Sequence, residues 1–392
     1  MDQEWIVWGS ELSPFALKLR ALCRFKGLKH RFLPADGGFV DALRYECRRR
    51  LLVAGVLKLT APKMTALDEF PLVPYLFGPN GENLYESTAI AHWLDSTPGT
   101  PAIVPTDPVK AFLVCLIDDF FDEWGLYLVH HNRWKVAALE NDAGQRLGEE
   151  QKALFLPAMR RRFGRWFAAR QTRRLPYLFS VSPEGFKIDG VIAERQPRSR
   201  DGFPATHQLL EDSFDRILQA IEPIFRHRSS LLGDGFTLAD ASLYGQLGMN
   251  LADSEIAHQL EVKAPATHAW LSQIHSGNLP DGKPKQASVP ADLKPLLAEI
   301  ARVYFPLMQQ NETAYQRISG NAKAQFNERA FWENQSLYQG ELDGHPYKAV
   351  VKTFQVASWR VVCETWRGLN PEQRQAVVEL LPSGSTDAFG KV

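Results

Sequence analysis

The stretch FPLVPYLFGPNGENLYESTAIAHWLDS, residues 70–96, decides the fold. It reads as strand, turn at GPNG, strand, then a helix from Ser87 to about Asp95. Val73-Pro74 stands just ahead of the first strand. A cis proline there would expose the backbone N–H and C=O of Val73, and an extended peptide could pair with them as an added strand. Upstream, EWIVWG at 4–9 predicts a short strand entering a turn. Ser13 then occupies an N-cap position and Pro14 a first helical position. Phe15, Leu19, Leu22 and Phe25 recur at helical spacing, with Lys18, Arg20, Arg24 and Lys26 on the other faces, and Gly27 is a helix stop. HRFLPA at 30–35 predicts a second strand. Strand–helix–strand followed by hairpin and helix is the pattern of a thioredoxin-like α/β unit, assigned to residues 1–97.

Downstream, the proline-rich STPGTPAIVPTDP at 96–108 predicts a linker, and an all-helical domain follows over 106–285. AFLVCLIDDFFDEWGLYLVHHNRW at 111–134 reads as one long helix, with Phe112, Leu116, Phe120, Trp124 and Leu128 as its buried stripe. EQKALFLPAMRRRFGRWFAARQTRR at 150–174 is a basic amphipathic segment, read as a solvated face. A second linker, PDGKPKQASVP at 280–290, leads to a mixed α/β tail over 290–392, as a lid, an interface or a small subdomain. The tail holds helices, a hairpin turning at Asp343-Gly344 and a last helix begun by Asn370-Pro371.

The bulk properties narrow the partners. The 392 residues are 45% hydrophobic and 23% charged with a formal net charge of zero, so nothing global favours nucleic acid or an anionic membrane. No apolar run approaches the roughly 20 residues of a membrane span, and the start lacks the features of a signal peptide. Cys23, Cys47, Cys115 and Cys363 lie far apart, which reads as reduced thiols in a cytoplasmic protein and not as a zinc site. Asp118, Asp122, His130 and His131 match no familiar metal-ligand spacing, so they read as a polar helix face and no metal is expected.

Three helix-associated features converge if the α/β unit forms. A thiolate at the N-terminal turn behind Ser13 meets free N–H groups and a partial positive charge, which shifts a thiol of ordinary pKa about 8.5 towards its anion. The Ser13 hydroxyl donates to that sulfur, with Ser10 as the backup hydroxyl. Val73-Pro74 offers backbone pairing. Ser87, at a helix start, suits a carboxylate, and Glu86 suits an ammonium, the two charges of a γ-glutamyl group.

SPFALKLRALCRFKGL, FPLVPYL and ESTAIAHWLD resemble the glutathione transferase N-terminal domain, and GDGFTLADASLYGQL at 233–247 resembles that superfamily's helical C-terminal domain. Thr237 and Asp240 form a capping-box variant there. The resemblance covers about residues 4–275 and is to serine-type, tau- or zeta-like and long-form bacterial members. It implies a thiol-activating role for Ser13 and glutathione-binding roles for Val73, Pro74, Glu86 and Ser87. It also implies a cytoplasmic homodimer in detoxification, which conjugates glutathione to an electrophilic small molecule in a cleft lined by Phe15, Trp124, Tyr127 and His131. The rival readings are a glutathione-dependent isomerase or ether- or halide-cleaving enzyme, and a non-catalytic binding scaffold on the same fold. Relatives with a cysteine nucleophile carry it where Ser13 stands. Cys23 lies ten residues further on, about 15 Å along a helix, too far to replace it. The chain departs from the common form by an enlarged insert at 140–205 and by its tail.

Overall fold

The computed structural model describes residues 4–96, 100–233, 235–280 and 289–390. Most of the second linker, and residues 97–99 of the first, therefore lie outside the described residues.

The N-terminal unit is thioredoxin-like. Strand β1 (Trp5–Trp8), helix α1 (Pro14–Phe25) and strand β2 (His30–Leu33) form a parallel crossover. Helix α2 (Phe39–Val53) follows, then the antiparallel hairpin β3 (Tyr75–Phe77) and β4 (Asn83–Tyr85), then α3 (Ser87–Asp95). The sheet order is β2-β1-β3-β4. Alternation of side chains sorts the strands onto two faces. Val7, Leu76 and Leu84 pack with Leu19, Ile90 and Leu94 of α1 and α3. Ile6, Trp8, Tyr75, Phe77 and Tyr85 face the other way, with Leu52 of α2.

Local chemistry explains the ends of α1. Ser13 is extended at φ −106°, accepts from the Ala16 N–H, and precedes Pro14. Gly27, at φ +67°, supplies the left-handed turn that ends the helix. Lys18 and Lys26, off the apolar stripe, are nonetheless buried, because Asp118, Asp122 and Asp95 pair with their ammonium groups across the packing surfaces.

Helices carry the remainder. α4 (Pro108–Phe120) continues through a π turn at Phe121–Gly125 into α5 (Leu126–His131) and a second π turn at Asn132–Val136. The predicted stripe from Phe112 to Leu128 is fully buried. α6 (Ala143–Glu150) and α7 (Pro157–Arg173) form a tight hairpin within the insert. There a Cβ on Gly164 would sit 2.3 Å from the Gly144 carbonyl oxygen, so the two backbones touch. Arg161, Arg162, Arg165 and Arg173 of α7 are exposed, as a solvated face requires.

α8 (His207–His227), α9 (Leu238–Gly248), α10 (Ser254–Lys263) and α11 (Pro265–His275) complete the helical layer. α9 starts with the Thr237/Asp240 capping box and packs on α1 so closely that a Cβ on Gly245 would meet the Pro14 carbonyl oxygen at 2.7 Å.

The C-terminal extension comprises α12 (Lys294–Glu299), α13 (Phe305–Ile318), α14 (Glu328–Trp332), the hairpin β5 (Leu337–Leu342) and β6 (His345–Val350), α15 (Thr353–Gly368) and α16 (Pro371–Val378). Asp343 and Gly344 turn the hairpin at φ +50° and +76°. The extension shares one hydrophobic core with α4 and α8. Phe112 meets Trp366 and Phe389 at ring distances of 5.6 and 5.5 Å.

Candidate active site

The first turn of α1 opens onto a cavity of about 810 Å³, within the range of small-molecule sites. Ser10, Ser13, Phe15 and Val73 line it from the α/β unit. His130, Arg133 and Trp134 line it from α5 and the second π turn, and Phe163, Gln171 and Arg174 from the insert. Lys352 and Phe354 enter from the extension.

The two serines at the head of α1 are not equivalent. The Ser13 hydroxyl oxygen accepts from the Ala16 N–H at 3.4 Å, a long bond, and among the described residues no acceptor takes its hydrogen. The Ser10 hydroxyl oxygen accepts from the Leu12 N–H at 3.0 Å, outside the helix that Ser13 caps. Glu150, the last residue of α6, accepts from the Glu11 N–H at 3.1 Å. Burial pushes its carboxyl up to about 7, although the neighbouring Ser10 hydroxyl and the Glu11 N–H work against the shift. Arg133 fixes the approach to the helix from the other side. It donates to the Leu12 carbonyl at 3.3 Å while its Nε lies 2.7 Å from Asp253.

Val73 is linked to Pro74 by a cis peptide bond directly before β3. Among the described residues nothing pairs with the Val73 main-chain N–H or C=O. Glu86 and Ser87 do not line the cavity. The Glu86 carboxylate caps α3, accepting from the Thr88 and Ala89 N–H groups at 3.1 and 2.8 Å, yet the residue stays exposed. Its φ of +65° with ψ of 125° is a conformation that non-glycine residues rarely hold. Ser87 is buried at the start of the same helix, its hydroxyl 3.4 Å from Glu86 Oε1.

Of the four residues named for a second-substrate cleft, only Phe15 lines the cavity. Trp124 is buried and donates to Ser213 at 2.8 Å. Tyr127 stacks on Phe179 at 5.2 Å and accepts from Gln355 at 2.9 Å. His131 pairs with Ser180 at 2.7 Å and Glu211 at 3.3 Å. Two π turns interrupt this helix, one ahead of His130 and one containing Trp134. Each takes an extra residue and rotates the later positions about the axis, and His130 and Trp134 line the cavity. Asp118 and Asp122 are ion-paired with Lys18, and no cluster of His, Cys, Asp or Glu among the described residues is arranged to hold a metal ion.

Sequence reasoning missed Glu150 and Lys352. Neither sits in a motif: each reaches the site through tertiary packing of a segment with no local signature. Lys352 is fully buried, and burial pulls its ammonium down to about 8.

Residues 12–97 match the family model of the glutathione S-transferase N-terminal domain. No curated protein matches the chain. Among solved structures, the chain is similar to beta-etherase LigF from Sphingobium sp. strain SYK-6, at 18% identity over 70% of this chain and 96% of that one, with a TM-score of 0.40. It is similar to a glutathione S-transferase of Ceriporiopsis subvermispora in complex with glutathione, at 15% identity over 70% and 98%, with a TM-score of 0.41. A rice glutathione S-transferase in complex with glutathione is 16% identical over 71% and 90%, with a TM-score of 0.33. Among the described residues, no helix is long and apolar enough to cross a membrane.

Proposed function

From the premise that the chain belongs to the glutathione S-transferase superfamily through its N-terminal domain, we propose that it is a glutathione-dependent transferase acting on an electrophilic small molecule. The observation that carries the reading is the uncommitted Ser13 hydroxyl hydrogen at the head of α1, facing a large apolar-walled cavity.

Glutathione lies extended, its backbone pairing with the open N–H and C=O of Val73 beside Pro74. Its γ-glutamyl carboxylate sits at the Ser87 helix start and its ammonium at the exposed Glu86. Its sulfur rests at the first turn of α1. Ser13 donates a hydrogen bond to the thiolate, and the helix N-terminus adds partial positive charge, so more of the thiol is ionised near neutrality. Ser10, three residues ahead of the α1 cap, is the backup donor. The thiolate then attacks an electrophilic carbon of the molecule in the cavity. A carbon–sulfur bond forms, and the electron pair leaves with a departing group or is protonated after addition.

The same reading makes the protein cytoplasmic and a homodimer, which light scattering tests directly. The function is tested by titration calorimetry with glutathione, then turnover of an activated aryl chloride with mass spectrometry of the product. A retained glutathionyl adduct supports transfer. A product free of sulfur points to isomerisation or to ether or halide cleavage. Heat of binding without turnover, unchanged in Ser13→Ala, points to a scaffold.

A further inference from the structure

Lys352 stands between β6 and α15, in the extension, and its main chain is pinned on both sides. Its N–H donates to Asn311 Oδ1 at 2.9 Å, and its carbonyl accepts from Asn311 Nδ2 at 2.9 Å. Its position is thus fixed by the core and not by solvent. Its ammonium lies 4.6 Å from the ring centres of both Tyr127 and Tyr177 and 5.9 Å from that of Phe354. Among the described residues, no oxygen takes a hydrogen bond from it. A buried ammonium held by ring faces alone is under-compensated, because the attraction of the rings is smaller than the cost of taking the charge out of water.

The nearby carboxylates do not close that gap. Glu328 is engaged by Arg174 at 2.8 Å and Arg170 at 3.4 Å. Glu69, on the same cavity wall, and Glu123 attract the ammonium at a distance, but among the described residues neither forms an ion pair or accepts a hydrogen bond from it. Phe15, Trp134, Phe163, Phe167 and Phe354 of the same wall suit a flat aromatic body, while Glu46, Arg49, Arg50 and Arg133 also line it.

We propose that the cavity takes an aromatic compound bearing a carboxylate, and that the carboxylate seats on the ammonium of Lys352. The inference rests on reading the cavity as the second-substrate cleft beside Ser13. It gives the extension a chemical role, since the extension supplies the cation. Arg174, at the end of α7 and on the same wall, is already paired with Glu328, which leaves Lys352 as the seat. The ring of the substrate then lies among the aromatic side chains, between the carboxylate seat and the head of α1.

The test uses the full chain and two isosteric probes, naphthoate and naphthamide, titrated calorimetrically without glutathione. Naphthoate is expected to bind at least tenfold more tightly than naphthamide. Lys352→Arg keeps most of that preference, and Lys352→Met brings the ratio to about one. If the wild-type chain binds the two probes equally, or binds neither, the proposal is overturned, and this arm needs no variant. A ratio unchanged in Lys352→Met, with both affinities lowered together, also overturns it, because it assigns Lys352 only the anchoring of the tyrosine rings. Failure of the transferase reading is separate: it shows as no heat with glutathione, whichever way the probe ratio falls.

Discussion

The ammonium of Lys18 lies 2.7 Å from Asp118 Oδ1, joining α1 of the α/β unit to α4 of the helical layer in a site from which water is excluded. Asp122 approaches the same nitrogen at 2.6 Å, and Thr88 accepts from it at 2.8 Å. Burial opposes the charge on Lys18, but the two aspartates hold it above the ordinary lysine value. Lys18→Met leaves two buried carboxylates without their cation. The expected loss is about 3–5 kcal/mol in urea unfolding. Neutralising the partners as well, in Lys18→Met/Asp118→Asn/Asp122→Asn, is expected to restore a large part of it. Equal losses in the single and triple variants would mean that the contact matters for shape and not for charge.

Ser13→Ala removes both a cap and the hydroxyl that faces the cavity. Stability is expected to fall by about 1 kcal/mol, at the low end for a cap, because the bond to Ala16 is long. Turnover is expected to fall by about 10²-fold at neutral pH, with the thiol's apparent pKa rising in the pH–rate profile. Ser10→Ala is expected to cost less than tenfold, since Ser10 stands three residues ahead of the α1 cap, off its first turn. A larger effect from Ser10 than from Ser13 would reverse the assignment.

Glu150 gives the fold a pH dependence of defined sign. Its native carboxyl titrates at about 7, above its ordinary 4.5. Below pH about 4.5 both folded and unfolded chains carry the proton, and no difference arises. Between about 4.5 and 7 the unfolded chain releases it while the folded chain keeps it, so stability declines, and above 7 the loss is complete. The residue is partly solvated, so the span is about 1–2 kcal/mol. Glu150→Gln removes this component. The difference in unfolding free energy between wild type and variant, measured from pH 4.5 to 8, is expected to follow that curve. A flat difference would place the carboxyl in water.

What was legible in the sequence was local. The alternation of β1, β3 and β4, the Ser13-Pro14 start of α1 and the Asp343-Gly344 turn each depend on neighbours a few residues away. The buried lysines were not legible, because a lysine in a helical pattern carries no mark of an aspartate packed from a hundred residues on. The cleft residues on α5 failed for a related reason. A four-residue stripe locates the core, yet a π turn changes which neighbour faces out, and nothing in FDEWG or NRWKV announces one. Lys352 reaches the cavity from the extension and Glu150 reaches the Glu11 N–H from the insert, along paths set by the whole core.

The α6/α7 hairpin owes its closeness to glycine. A Cβ on Gly164 would lie 2.3 Å from the Gly144 carbonyl oxygen, and one on Gly148 would lie 2.6 Å from that of Arg160. Both obstacles are backbone, so no rotamer relieves them. Gly164→Ala must therefore spread the two helices, and both line the cavity: Leu147 from α6, Phe163 and Phe167 from α7. Overpacking of this kind costs typically 1–3 kcal/mol. Spreading also draws Glu150 away from the Glu11 N–H that it accepts from. The expected result is a lowered thermal midpoint, weaker binding of aromatic ligands to the cavity, and little change in glutathione affinity, since Val73, Glu86 and Ser87 lie on the α/β unit. Calorimetry with each ligand on Gly164→Ala separates these terms. Equal weakening of both would mean that the hairpin, and not the α/β unit alone, shapes the glutathione side of the site.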